Sequence, residues 1–331
     1  MWRRPSAKHS LVPAPALPVA APRPSPILDP HRLPELVPDQ ASADERIAMG
    51  ARCRDADAVP KVAGAGRVHV LADGRRVQTM HNGVRVVADG YYGAWMTALI
   101  ERCRGHHEPQ EERVFHEVVA ALPPGGAMLE LGGYWAYYTT WFLRAAAGRW
   151  ALLVEPDPAH IAVGEANLAL NAVSAEFVQG FVGDAPGAVR PFPTEESGTL
   201  DLPCLDVARL LEDRGIERLA ILHCDIQGAE FRLLEQMAPW LRAGRADWVF
   251  VSTHHHSISG DPLTHQRCLM LLRALGAEIE AEHDVQESFS GDGLICARFG
   301  PAPAGWRGPA LSYNRASTSL FRNPLYDLAS R

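Results

Sequence analysis

Several common signatures are missing from this 331-residue chain. Its six cysteines, Cys53, Cys103, Cys204, Cys224, Cys268 and Cys296, are scattered and never form a CxxC pair. Isolated cysteines of this kind read as reduced and mostly buried, which predicts a cytoplasmic location. No apolar run is long enough to span a membrane, so no membrane partner is expected. Positive charge is not in excess: 32 Lys and Arg against 39 Asp and Glu leave a formal charge of −7. That balance lacks the basic footprint of a nucleic-acid binder. The opening MWRRPSAKHS carries charge with no apolar segment after it, so it does not read as a secretory leader. Nothing in the composition speaks to oligomeric state.

What is present is enough apolar sequence, 47% of residues, for one large domain or two smaller ones. Residues 1–43 are dense in Pro and Ala and read as a disordered, partly polyproline tail. Residues 44–122 read as a cover. A short helix is expected over 44–53, then a small β-meander over 67–88, punctuated by Asp73-Gly74, Asn82-Gly83 and Asp89-Gly90. Two helices follow, broken at residues 105–109. The second puts Val114, Val118 and Leu122 on one face.

Strict alternation begins at residue 123. Strands are expected at 127–131, 150–155, 175–182, 219–224, 248–252, 277–283 and 293–299, with helices between them. The Pro- and Gly-rich segment 185–199 reads as a loop. Asp261-Pro262 reads as an N-cap and first turn. The pattern predicts an α/β fold: a Rossmann-like, doubly wound, mostly parallel seven-stranded sheet with an antiparallel edge hairpin. It spans 123–300 and follows the meander and helical cover. Residues 301–331 form a C-terminal extension in which Leu320, Phe321, Leu325 and Tyr326 could dock on the core.

Ligands in such sheets bind outside the carboxyl ends of the strands. Those ends offer Glu130, Gly132 and Gly133; then Glu155; then Gly183 and Asp184; then Asp225 and Gln227. The fifth and sixth offer Thr253 with His254–His256, and His283 with Asp284. A dinucleotide site wants GxGxxG, so that pyrophosphate lies against a helix N-terminus. The turn here is Glu130-Leu131-Gly132-Gly133-Tyr134-Trp135-Ala136, without a third glycine in register and crowded by aromatics. Glu155 follows Glu130 by about twenty-five positions, near the spacing at which an acid meets ribose hydroxyls. A nucleoside without phosphate and with a zwitterionic tail fits, which describes S-adenosylmethionine.

Three blocks, ELGGYWAYYTTWFL, VEPDPAHIAVGEANLALN and LDVARLLEDRGIERLAILHCDIQGAEFRLLEQM, resemble in order those of the FkbM-type methyltransferases. The likeness runs over roughly residues 107–299. It implies a class I S-adenosylmethionine-dependent enzyme, from a family that mostly methylates oxygens of sugars and natural products. It implies that Glu130 and Gly132 face the methionine and ribose and that Glu155 binds the ribose diol. It implies that Asp225 closes the site within the block Asp225, Gly228, Glu230; from their places at the strand ends and in the first turn, Gly133, Tyr134 and Asp184 are expected to add cofactor contacts. Asn167 and Asn171 are structural. The chain departs from the family where Ala136 replaces a second glycine. Specificity is expected after Ser252.

An alcohol acceptor needs a general base. His254 is the first candidate and His256 the second, on one side of an extended stretch, with Asp225 orienting the imidazole or the acceptor. The acceptor is expected to be a small molecule or a glycan. Asp225 could alternatively cap the helix that follows it. The histidine run also admits a metal-dependent hydrolase or oxygenase, although no HxxxH or facial-triad spacing is present and no metal is assigned. A third reading is a non-catalytic cofactor-binding scaffold.

Overall fold

The computed structural model describes residues 41–314 and 319–321. The expected tail, up to residue 40, and Leu325 and Tyr326 lie outside the described residues. The cover starts with α1 (Ala43–Gly50), whose N-terminus is a capping box between Ser42 and Glu45. A three-stranded antiparallel meander follows, β1 (Val68–Val70), β2 (Arg76–Thr79) and β3 (Arg85–Val87), then α2 (Ala94–Arg102) and α3 (Pro109–Ala121).

The main sheet is built from β4 (Ala127–Leu131), β5 (Trp150–Glu155), β6 (Glu176–Gln179), β9 (Leu219–Cys224), β10 (Ala246–Thr253), β11 (Glu278–His283) and β12 (Gly293–Arg298). Its order is β11-β12-β10-β9-β4-β5-β6, with β12 antiparallel to both neighbours and the rest parallel. Helices α4 (Tyr137–Ala145), α5 (Pro158–Leu170), α6 (Val207–Asp213), α7 (Glu230–Arg242) and α9 (Thr264–Ala274) connect the strands, and a short α8 (His256–Ser259) follows β10. The central strands are covered on both faces, so they read as continuous apolar runs. One core cluster joins α3 and α4 to the cover through Phe115, Val118, Tyr137 and Phe142. The other joins α6, α7 and α9 through Leu211, Leu233, Met237 and Leu272.

The asparagines of α5 hold the cover to the sheet. Asn171 Oδ1 accepts from Arg85 N at 2.9 Å and Asn167 Oδ1 accepts from Val87 N at 2.7 Å, while Asn167 Nδ2 donates to Trp135 O. The free edge of β3 is thereby satisfied by side-chain amides rather than left as a template for another strand.

Several local expectations are corrected. Residues 185–199 are not a plain loop but hold most of a hairpin, β7 (Val189–Pro193) and β8 (Thr199–Pro203). The prolines that argued against a strand are tolerated because this ribbon is a two-stranded sheet of its own. Asp261 does not cap α9. That helix begins at Thr264, and Asp261 instead accepts from Leu263 N in the turn before it. The extended run expected across the three histidines ends at Thr253, because His255 becomes the N-cap of α8. Phe321 returns to the core and stacks on His255, ring centroids 4.5 Å apart.

Candidate active site

Strand β4 lies between β5 and β9, so crossovers leave it in both directions and open a crevice at its carboxyl end. Gly132 makes this geometry possible. Its φ is +79°, and a Cβ there would lie 1.7 Å from the Asp225 carbonyl oxygen. The tips of β4 and β9 therefore approach more closely than any side chain permits. Ala136 also has left-handed backbone (φ 55°, ψ 35°), which costs an L-residue roughly 1–2 kcal/mol. Its methyl is fully buried beside Gly164 of α5, where a Cβ would collide with Phe177 at 2.5 Å and Tyr134 O at 2.8 Å.

The crevice holds a cavity of about 550 Å³. Glu130, Gly132, Tyr134, Glu155, Asp184 and Asp225 all line it. Glu155 is 4% exposed and tightly organised. One oxygen accepts from Tyr134 N at 3.1 Å, and the other from Asp157 N at 3.0 Å with His160 Nδ1 at 3.3 Å. The His160 ring stacks on Tyr134 with centroids 3.5 Å apart. Glu130 accepts from Thr139 N at 3.1 Å and from the Thr139 hydroxyl. Burial pushes its carboxyl up to about 7 against the pull of His223 and Thr139. Asp184 sits at the exposed rim, paired with Arg232.

Three expected residues are placed elsewhere. Gly133 turns its back on the cavity, since a Cβ there would strike Leu153 at 2.7 Å. His256 belongs to α8, and its ring lies 3.8 Å from that of His255, outside the cavity lining. His254 is sealed behind the wall at 3% exposure. Its Nδ1 is 2.9 Å from Glu230 Oε1, and its Nε2 is 3.0 Å from Asp225 Oδ1 and 3.6 Å from Asp292 Oδ1. Burial alone would push its pKa down, but Glu230, Asp292 and Asp225 hold it well above the usual value. An imidazolium with both nitrogens committed has no lone pair to accept a proton, so His254 does not fit the role of base. Asp225 does meet the imidazole as expected. It does not cap α7, whose N-cap Ala229 receives no side-chain hydrogen bond; Glu230 instead accepts from Ile226 N and Gly228 N in the turn before the helix.

Other lining residues were not legible beforehand. Tyr91, Tyr92, His107 and Glu108 come from the cover, and Phe192 and Glu195 from the β7–β8 hairpin taken for a loop. Asp157 and His160 follow the Glu155-Pro156 turn, whose spacing could have indicated them. His223 interrupts an otherwise apolar strand and bonds Glu111 at 2.7 Å, while Ser252 donates to the same carboxylate. Polarity inside a buried strand was the available signal.

No histidine triplet suited to a metal forms at 254–256. Among the described residues, one group places three ligand-type atoms within 4.8 Å of one another: His81, His106 and Glu112, all buried. The two imidazoles stack at 4.1 Å and 16°, so their in-plane lone pairs run side by side instead of converging. Glu112 already accepts from His106 Nδ1, from His107 N and Nδ1, and from Tyr137 OH. This is a hydrogen-bonded carboxylate hub. Although burial opposes it, His106 and His107 hold Glu112 well below the usual range.

No curated protein matches the chain. Similar solved structures include an O-methyltransferase from Bacillus cereus in complex with SAH, 14% identical over 57% of this chain and 80% of that one, TM-score 0.39. A ribosomal protein L11 methylase from Lactobacillus delbrueckii subsp. bulgaricus is 13% identical over 57% and 79%, TM-score 0.37. A putative O-methyltransferase from Klebsiella pneumoniae is 17% identical over 58% and 90%, TM-score 0.36. The sequence model of the methyltransferase FkbM domain matches residues 118–279, the stretch that supplies β4, β5, β9 and the acids at their ends. Residues 118–279 of this chain belong to the methyltransferase FkbM family.

Proposed function

We propose that this methyltransferase moves the methyl group of S-adenosylmethionine to a hydroxyl oxygen of a small-molecule or glycan acceptor. The observation that carries the cofactor reading is the charge of the cavity beside Gly132. Glu108, Glu130, Glu155, Asp157, Asp184, Glu195 and Asp225 line it, against Arg232, which is already paired with Asp184, and against His107, His160 and His223, which are held by Glu108 and Glu112, by Glu155 and by Glu111. Such a wall repels a pyrophosphate and suits a ligand that carries a sulfonium and an ammonium group. The acids also fit a nucleoside: Glu155, fixed by two backbone N–H groups, accepts from a ribose diol. Glu130 and the Gly132 turn take the amino-acid end, and Asp225 closes the site. When bound, the cofactor supplies a methyl group activated by the positive sulfur. The protein's part is to align the acceptor, exclude water and take up one proton.

The test has two arms. Isothermal titration with S-adenosylhomocysteine should give saturable binding, and NAD should give none. Binding of NAD without S-adenosylhomocysteine would refute the cofactor reading. Turnover of methyl-labelled S-adenosylmethionine then separates an enzyme from a scaffold, and the chemistry of the labelled product decides between oxygen and nitrogen as acceptor atom.

A further inference from the structure

The imidazole that does not fit the role of base is surrounded by acids from three separate segments. His254 follows β10 and is 3% exposed. Asp225 reaches it from the turn after β9, Glu230 from α7, and Asp292 from the residue before β12. Nδ1 is 2.9 Å from Glu230 Oε1 and Nε2 is 3.0 Å from Asp225 Oδ1, so each ring nitrogen has its own acid. Asp292 Oδ1, 3.6 Å from Nε2, adds charge without a hydrogen bond. Gln227 Nε2 also lies 3.0 Å from that nitrogen. Between two carboxylates the nitrogen keeps its proton, and the amide then presents its oxygen to it. Burying such a cluster gains little stability over apolar packing, which points to a use in holding a group in place.

The group held is one oxygen of Asp225. Of the three acids, only Asp225 lines the cofactor cavity. Both protein contacts of its carboxylate fall on Oδ1: His254 Nε2 at 3.0 Å and Gln227 Nε2 at 3.5 Å. Oδ2 is left to the cavity, and the side chain is 25% exposed. Burial opposes the charge on this carboxyl, but His254, aided by His223 and His107, holds it below the usual range. Oδ2 therefore faces the cavity as part of an anion. The Asp225 carbonyl abuts Gly132, whose turn was read as taking the amino-acid end of the cofactor. The group at that end which a carboxylate oxygen attracts is the α-ammonium, a cation with N–H donors.

We propose that His254 is a positioning residue for cofactor binding: it pins Asp225 by Oδ1 so that Oδ2 receives the α-ammonium of S-adenosylmethionine. This rests on the S-adenosylmethionine reading of the cavity. Charge alone predicts the opposite sign for the loss of His254, because taking a cation out of the wall of an acidic cavity tightens a cationic ligand. A positioning role predicts weaker binding. Without the imidazolium Asp225 loses its anchor, and burial beside Glu230 and Asp292 favours its neutral form.

The experiment titrates the full chain with two ligands by calorimetry. S-adenosylhomocysteine carries the α-ammonium, whereas 5′-methylthioadenosine keeps the nucleoside and thioether and lacks the amino-acid end. Asp225→Asn and His254→Gln should each weaken S-adenosylhomocysteine roughly ten- to hundred-fold. The double variant should bind no more than about threefold more weakly than the weaker single, because both changes remove the same interaction. 5′-Methylthioadenosine should bind all of these proteins within about threefold of wild type, whereas a general defect at the strand ends would weaken both ligands alike. Unchanged or tighter S-adenosylhomocysteine binding in His254→Gln, equal losses for both ligands, or fully additive losses in the double variant would each overturn the proposal. Should His254→Gln not fold, a crystal structure of the wild type with S-adenosylhomocysteine decides. The ligand's ammonium should lie within about 3.2 Å of Asp225 Oδ2 while Oδ1 stays on His254, and an ammonium held elsewhere overturns the proposal. Failure of wild-type protein to bind S-adenosylhomocysteine would instead strike the cofactor reading.

Discussion

Glu155→Gln is the sharpest probe of the cofactor cavity, because the change keeps the shape and alters only charge and hydrogen bonding. In the wild type one oxygen of Glu155 accepts from Tyr134 N and the other from Asp157 N. A glutamine can serve only one of these, whichever way its amide is turned. The other backbone N–H then faces an NH₂ group in a position that is 4% exposed. Leaving one buried donor unpaired costs about 1–3 kcal/mol, within the usual 5–15 kcal/mol of folding stability, so the variant remains folded. Ligand binding suffers separately. Hydrogen bonds from a ribose diol to a charged acceptor contribute about 1.5–3 kcal/mol, or roughly ten- to hundred-fold in Kd. Urea denaturation without ligand measures the first effect, and calorimetry with S-adenosylhomocysteine measures the second. A variant that lost stability by this amount yet bound S-adenosylhomocysteine as tightly as wild type would show that Glu155 only organises the turn. The ribose assignment would then fail.

Further outcomes follow from the same geometry. Gly132→Ala combines a left-handed backbone with a 1.7 Å collision with the Asp225 carbonyl, and should lower stability by about 2–5 kcal/mol and abolish cofactor binding; a wild-type melting curve would refute the close approach of β4 and β9. Glu112→Gln removes the charge that pairs with buried His106 and His107 and should cost about 3–5 kcal/mol, read by urea titration. His107 provides a pH signature. Burial lowers its pKa, but Glu108 and Glu112 more than offset this and raise it to about 10, against about 6.5 in an unfolded chain. Its contribution to stability is therefore complete below pH 6.5 and declines as pH rises toward 10; melting curves of His107→Gln and wild type should converge across that window. Chelation should leave the melting temperature unchanged and metal analysis should find no stoichiometric zinc, since the His81–His106–Glu112 rings do not converge; a stoichiometric ion there would overturn that reading.

The chain's own order determined a good deal. Continuous apolar runs such as Ala127–Leu131 and Trp150–Glu155 specify buried parallel strands, because only strands covered on both faces can bury every side chain. The acids that end those runs fall at the carboxyl edge as a matter of topology, which is why Glu130, Glu155 and Asp225 were legible together. Pro158 after Asp157 marks a helix start through local backbone chemistry alone. The departure at Ala136 was visible too, though not the left-handed backbone that the alanine adopts there.

Tertiary structure decided what local pattern does not encode. Whether a histidine is a base or a sealed cation depends on the charges around it. Those around His254 come from Asp225, Glu230 and Asp292, on three separate segments. The β7–β8 ribbon forms despite its prolines because pairing with each other, not propensity, holds those strands. Tyr91, Tyr92, His107 and Glu108, which wall one side of the cavity, belong to the cover and arrive through long-range packing. Sequence periodicity reports which face of an element is buried, but not which distant element buries it. The acids at the carboxyl edge of the sheet could therefore be read residue by residue along the chain, whereas the walls that the cover supplies and the surroundings of the buried ionisable groups were settled only by the fold.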